Sequence, residues 1–264
     1  MVAVSIVIIT RDLSEILVEC LDKARFITDD IVIIDNGNAN NQDSIDVKSC
    51  RVFKKNWDGY GANKNKGVLI AKYDWVLSID ADEVPDDELI TALHQLDYIN
   101  PAIVYDIKFR SYFGDKMIRF GSWGKDHHVR LFNRNIVHWL DTTVHETLVL
   151  PPNVQVEKMD GYLHHYSVKD AVEYDFKNSL YAKLSAVKYF NSGKKAGFVK
   201  LYISPVFGFL KNYILHLGFL DGHEGWQIAK ITLKNTRSKY RLLNRMQGLK
   251  PKKQVYKDSF AIEY

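Results

Sequence analysis

Residues 74–88 read D-W-V-L-S-I-D-A-D-E-V-P-D-D-E, and this stretch decides how the rest of the chain is read. Trp75, Val76, Leu77 and Ile79 make a short, nearly continuous apolar run, whose length and β-branched content suit a buried strand. The run stops at Asp80, Ala81, Asp82 and Glu83, and Pro85 cannot continue a strand interior. Strand alternation predicts Asp80 and Asp82 on one side, about 7 Å apart. Two carboxylates placed so repel unless a cation sits with them. Hard oxygen ligands with coordination positions left over suit Mg²⁺ or Mn²⁺ shared with phosphate oxygens. The plainer reading is an acidic strand-to-helix loop, because Asp86, Asp87 and Glu88 also suit a helix N-terminus.

Working outward, residues 4–9 form a second buried-strand run, and 13–26 carry apolar residues at helical spacing. Residues 31–34 are a further apolar run ending in the turn signal Asp35-Asn36-Gly37, 51–53 a short strand, and 61–72 a helix leading into the central stretch. Strands alternating with helices predict an open, largely parallel α/β sheet, whose ligands bind beyond the carboxyl ends of the strands. Thr10-Arg11-Asp12, Asp35-Asn36 and Asp80-Ala81-Asp82 then line one crevice. From 102 to 165 the texture changes, and 104–110, 128–132 and 144–150 read as antiparallel strands. Ser167 is expected to open a helix with Asp170 in capping-box register, and Ser192-Gly193 to stop it. Residues 194–198 read as a linker, 199–217 and 226–243 as helices, with Pro205 and Gly208 bending the first.

The expected division is 1–193 as catalytic domain, with halves 1–100 and 101–193, followed by a basic helical extension over 194–264. At 264 residues, 46% hydrophobic and 26% charged, the composition is ordinary for a globular protein. Cys20 and Cys50 make neither a disulfide framework nor a metal motif, which points to a reducing cytoplasm. The N-terminus lacks a signal-peptide pattern, and no run of 18 uncharged apolar residues predicts a membrane span. The net charge of +4 is uneven: residues 194–264 hold 14 Lys and Arg against 4 Asp and Glu, leaving the first 193 with 22 against 28. The aromatic-rich, basic stretch 199–245 suits an anionic membrane surface.

Taken together, Thr10-Arg11, Asp35-Asn36-Gly37, W-D-G-Y-G-A-N-K-N at 57–65 and the D-A-D-E stretch resemble the family 2 glycosyltransferases with the GT-A fold: a Rossmann-like mixed α/β sheet with helices on both faces. The texture is similar to the lipopolysaccharide core β-1,4-glucosyltransferases. The matching residues are Trp123…Arg130-Leu131-Phe132, Val144-His145-Glu146, Gly161-Tyr162-Leu163-His164 and Pro205…Phe209…Tyr213…Gly218-Phe219-Leu220-Asp221-Gly222…Gly225. The chain departs from the usual pattern at Asp12-Leu13 and at Asn36-Gly37-Asn38.

The resemblance implies a UDP-sugar donor, glucose as the sugar, a lipid-linked oligosaccharide acceptor of the inner core, and a place on the inner face of a bacterial inner membrane. Thr10 and Asp35 are the implied nucleoside contacts, against Asp35 capping its own turn. Lys64 reaches base or phosphate, or is a solvated helix lysine. Asp80 and Asp82 hold the metal and ribose side; His164 is the candidate third ligand, ahead of His165. Glu146 is the first candidate for the base, against a salt bridge to Arg130, followed by Asp126 and Asp141. Trp123 and Tyr112 are candidates for stacking on a sugar face. Two other classes compete. A nucleotidyltransferase would want a glycine-rich loop after the first strand, which Thr10-Arg11-Asp12-Leu13-Ser14 lacks. A basic nucleic-acid binder would want a recognised module, and none is legible.

Overall fold

The computed structural model describes residues 2–11, 14–37, 49–140 and 147–248. The chain divides into two compact units, Met1–Asp170 and Ala171–Tyr264. In the first, the strands are β1 (Val4–Thr10), β2 (Asp30–Asp35), β3 (Cys50–Lys54), β4 (Trp75–Asp80), β5 (Glu83–Pro85), β6 (Ile103–Phe113), β7 (Lys116–Met117), β8 (His127–Asn133), β9 (His138–Trp139), β10 (Leu148–Val149) and β11 (Gln155–Val168). The helices are α1 (Glu15–Ala24), α2 (Tyr60–Ile70) and α3 (Asp87–Gln95). The main sheet runs β3-β2-β1-β4-β8-β6-β11-β5, with β7 on β6, and β9 and β10 pair separately. β1 to β4 are parallel. β8 enters antiparallel between β4 and β6, and β5 closes the edge antiparallel to β11.

The apolar runs are continuous because both sheet faces are covered. Val4, Ile6 and Ile8 of β1 point with Ile31, Ile33, Leu77 and Ile79 into a core closed by Leu17 and Leu21 of α1 and Leu89 and Leu93 of α3. Val7 and Ile9 point the other way, with Val32, Ile34 and Val76, against Val68 of α2 and Trp139. Gly67 lets α2 lie this close, since a Cβ there would meet Val7 Cγ1 at 2.3 Å. Pro85 is tolerated because β5 is an edge strand, where a missing donor costs no ladder bond. Asp86 caps α3 by accepting from Leu89 N at 2.8 Å, so the plain reading of the acidic loop holds for Asp86 itself.

One local expectation gives way. Ser167 does not open a helix: the ladder between β6 and β11 carries on to Val168 opposite Phe113, and the next helix, α4 (Ala171–Asn191), starts beyond it. Pairing a full strand outweighs one cap bond. The helical run after 199 continues through Pro205, with short π turns at Val199–Ile203 and Lys211–Leu215 flanking α5 (Ser204–Leu210). The chain turns at Leu217, whose φ is +60°, before α6 (Gly222–Gly248).

In the second unit, α4 and α6 pack through Ala186, Tyr240 and Leu243. Asp175 ties them by accepting from Lys234 at 2.5 Å and Asn235 at 2.9 Å. Among the described residues, no single helix is long and apolar enough to cross a membrane. Val199–Leu215 and Gly218–Gly248, bent by 70°, satisfy length and composition only as a pair.

Gly161 interrupts β11 with φ +88°, and a Cβ there would lie 2.2 Å from Leu89 N. Across this contact the Asp86 N–H donates to Tyr162 O and the Tyr162 N–H donates to Asp86 Oδ1, each at 3.0 Å. Gly161→Ala is expected to cost roughly 2–4 kcal/mol of unfolding free energy, read from the urea midpoint at unchanged m-value.

Candidate active site

The carboxyl end of β4 is held by a network of four charged side chains, of which Lys64, Glu83 and Arg130 are buried and Asp80 is partly exposed. Lys64, on α2, is 1% exposed. Its Nζ sits 2.9 Å from Asp80 Oδ1 and 4.7 Å from the centre of the Trp139 ring. Arg130, on β8, donates to Asp80 Oδ2 at 3.0 Å and also to Glu83 Oε1. Glu83 Oε2 accepts from the backbone N–H of Asp80 at 3.0 Å. Burial by itself raises the pKa of both carboxyl groups, and the outcome differs with their partners. Lys64 and Arg130 hold Asp80 well below the usual carboxylate range despite its burial. For Glu83, burial wins over Arg130, Asp80 and Asp82 add to it, and the carboxyl is pushed up to about 7. Lys64 is therefore neither a solvated helix lysine nor free to move. Arg130 and Glu83, quoted in the sequence motifs but given no catalytic-site role there, turn out to anchor the site.

β4 ends at Asp80 and residues 81 and 82 make a turn, so strand alternation no longer fixes where Asp82 stands relative to Asp80. The Asp82 carboxylate lies 3.6 Å from His165 Nε2. Ligand atoms of Asp82, Glu83 and His165 all lie within 4.8 Å of one another. The ladder puts His165 directly opposite Glu83. Partial burial of His165 disfavours its cation, but the Asp82 carboxylate wins and raises its pKa.

His164 is not in this group. Adjacent β11 residues face opposite sides, and His164 Nδ1 pairs with Tyr112 Oη at 2.9 Å while its ring stacks on Tyr112. Burial lowers its pKa. His164, expected as third ligand, and Tyr112, expected as a sugar platform, are thus paired with each other, Tyr112 is also stacked on Tyr166 at 4.8 Å, and the metal-type grouping contains His165 rather than His164. Trp123 packs at 6.2 Å from Phe113.

Asp126 stands nearer the acidic group. It meets His128 Nε2 at 3.2 Å. Although burial opposes it, His128, with His165 further off, keeps the Asp126 carboxyl below its ordinary range. Phe109 separates the two histidines, in edge contact with His128 at 5.3 Å and with His165 at 5.8 Å. Glu146, Asp141 and Asp12 lie outside the described residues.

The first two strand ends form the other part of the crevice. Thr10 and Asp35 are in register. Asp35 Oδ1 accepts from Gly37 N at 2.8 Å, so it does cap its own turn. Asn36 Nδ2 donates to Lys55 O and Asn63 Oδ1, each at 2.7 Å. Asn36 Oδ1 and Trp139 Nε1 are buried without a hydrogen-bond partner among the described residues. Buried polar atoms left so call for a ligand or water. Asn36 and Asn63 were legible only as parts of motifs, whereas His165 stood second to His164 as the candidate third ligand.

A family model described as Glycosyl transferase family 2 matches residues 5–147. The chain belongs to glycosyl transferase family 2. An uncharacterized glycosyltransferase of Rickettsia typhi is 27% identical over 241 residues, covering 84% of this chain and 80% of that protein. The lipopolysaccharide core biosynthesis glycosyltransferase LpsC of Rhizobium meliloti is 28% identical over 222 residues, covering 77% of this chain and 80% of its own. Among solved structures, S. aureus TarS 1-349 gives a TM-score of 0.39 at 12% identity, covering 93% of this chain and 91% of that one, a distant likeness. This glycosyltransferase has the GT-A fold, a mixed sheet flanked by helices, with a C-terminal helical region beyond the matched residues. Membership sets aside the nucleotidyltransferase and nucleic-acid-binder readings.

In this family 2 glycosyltransferase, Arg130→Met takes the guanidinium from both Asp80 and buried Glu83 and leaves Asp80 to Lys64. A loss of about 3–5 kcal/mol is expected, measured by chemical denaturation, and Arg130→Lys recovers only part of it because one ammonium cannot reach both acids as the guanidinium does. The raised Glu83 pKa fixes the sign of a pH effect. The folded state keeps the Glu83 proton up to about 7, while the unfolded chain releases it near 4.5. Stability of the metal-free protein therefore falls as pH rises through that window, and Glu83→Gln should flatten that decline in a denaturation series.

Proposed function

We propose that the enzyme moves a hexose, glucose being the sugar we favour, from a UDP-sugar to a lipid-linked saccharide acceptor of the lipopolysaccharide inner core, with inversion at the anomeric carbon. The observation that carries this reading is the grouping of Asp82, Glu83 and His165 at the carboxyl end of β4. The LpsC relative, a lipopolysaccharide core glycosyltransferase by name, supports the acceptor class.

The donor set fits Mg²⁺ or Mn²⁺. Asp82 and His165 are partly exposed and adjacent, whereas Glu83 is committed to Arg130 and to the Asp80 N–H. Two protein ligands leave room for diphosphate oxygens and water, as small hard cations prefer. In our reading Asp82 and His165 hold the metal, which when bound supplies charge neutralisation to the diphosphate. Asp80, fixed by Lys64 and Arg130, faces the ribose side rather than serving as a full metal ligand. Thr10 and Asp35, with the unpartnered Asn36 Oδ1, receive the nucleoside.

The acceptor hydroxyl needs a carboxylate base facing the anomeric carbon from the side opposite the departing UDP. Glu146 is our first choice and Asp126 our second. Asp126 is kept ionised by His128 but made a weaker base by the same partner. Residues 199–245 bring the protein to the anionic membrane face where a lipid-anchored acceptor resides.

UDP plus Mn²⁺ is expected to raise the thermal midpoint where neither alone does. A screen of UDP release across UDP-sugars should give a signal with UDP-glucose that falls by roughly 10²-fold or more in Asp82→Asn. Activity surviving in Asp82→Asn removes the metal role. Glu146→Gln at wild-type turnover with Asp126→Asn inactive transfers the base to Asp126.

A further inference from the structure

Among the described residues, the helical unit carries an exposed apolar stripe. Val199, Ile203, Val206, Phe207, Leu210 and Ile214 recur at helical spacing along Val199–Leu215, and each is between 42% and 59% exposed. A continuous apolar face of this size on a protein surface marks a binding site. The charge along this part of the sequence is one-sided. From Phe176 to Leu220 there is no Asp or Glu, while Lys177, Lys183, Lys188, Lys194, Lys195, Lys200 and Lys211 all fall there; of the next two acids, Asp221 is buried and Glu224 partly so. A segment bearing only cations and apolar groups matches anionic headgroups over hydrocarbon.

Length and charge decide how the segment sits. At ~1.5 Å per residue, Val199–Leu215 is about 25 Å long, short of the roughly 30 Å of a bilayer core. Lys200 and Lys211 lie about 16 Å apart along it, so a transverse helix would bury one ammonium deep in hydrocarbon. Lying flat, both reach the headgroups by extending their stems. The corner after it is built to hold that posture. Leu217 takes φ +60° and the axis turns by 70°. Gly225 is required there because a Cβ would meet Gly218 O at 1.9 Å. Trp226 closes the corner edge-on to Phe209 at 5.6 Å and to Tyr213 at 5.4 Å, and such aromatic rings favour the membrane interface.

We propose that residues 198–220 are an in-plane membrane anchor, seated at the boundary between headgroups and acyl chains of an anionic bilayer by insertion of the Val199–Ile214 stripe, with the lysines adding attraction. The proposal deepens the membrane contact stated above and rests on that reading, but it replaces charge-only docking with apolar insertion.

The test is flotation of the full-length protein with vesicles of phosphatidylcholine carrying about 30% phosphatidylglycerol, in the absence of any nucleotide. Binding is expected at low salt and should largely persist near 1 M NaCl, where charge attraction is screened within ~3 Å. Ile203→Asp with Phe207→Asp should weaken binding by roughly tenfold or more, at an unchanged circular dichroism spectrum. Val206→Ser serves as a milder variant, with an expected loss of a few-fold, and Ile203→Leu with Phe207→Leu should bind as the parent does. Release of the parent by high salt would return the contact to charge alone and overturn the proposal. Failure to float, with light scattering showing a dimer that Ile203→Asp with Phe207→Asp dissociates, would assign the stripe to a second copy of the chain. Since no donor is present, neither failure touches the UDP-sugar reading, which stands or falls on UDP release.

Discussion

Everything at the proposed reaction centre depends on two cations being buried beside two acids at the end of β4. Burying Lys64 or Glu83 alone would be costly; with Arg130 and the partly exposed Asp80 they share charge and hydrogen bonds. The arrangement joins α2, β4, β5 and β8, elements spread from residue 60 to residue 133. It also sorts the acidic residues by task. Asp80 is fixed and ionised, Glu83 is held near protonation, and Asp82 is left in the turn beyond them, free to face a ligand with His165.

That sorting follows from where the strand stops. Had β4 run on by two residues, Asp80 and Asp82 would have stood side by side as like charges on one face. The chain instead turns at Ala81 and sends residues 83–85 to the far edge of the sheet, against β11. The long β11 then delivers His165 to the acids and His164 to Tyr112, neighbours in sequence with opposite surroundings. A bulge at Gly161 and the tie between Asp86 and Tyr162 place β11 against α3.

The helical unit meets a different constraint. Its α4–α6 pair has its own small core and inter-helix ion pair, yet the segment between them spends its apolar residues outward. Such a face costs solubility unless a bilayer covers it. A transferase whose acceptor is lipid-linked has use for such a surface, because confinement to the membrane plane raises the encounter rate with substrate.

Much of the molecule was legible in the residues. Continuous apolar runs in 4–9, 31–34 and 75–79 implied strands covered on both faces, because only then does alternation vanish. The D-A-D-E, W-D-G-Y-G-A-N-K-N and R-L-F motifs placed the acids, Lys64 and Arg130 in one family pattern. What the residues could not reveal was which way each side chain faces where regular geometry ends. The periods of strands and helices are local rules, and Asp82, His164 and Ser167 sit where a turn, a bulged strand and a continued ladder override them. Pairing of residues 50 to 83 apart — Arg130 with Asp80, His165 with Asp82, Tyr112 with His164 — was decided by the tertiary fold, since charge and hydrogen-bond partners are chosen by proximity in space and sequence spacing carries no record of it.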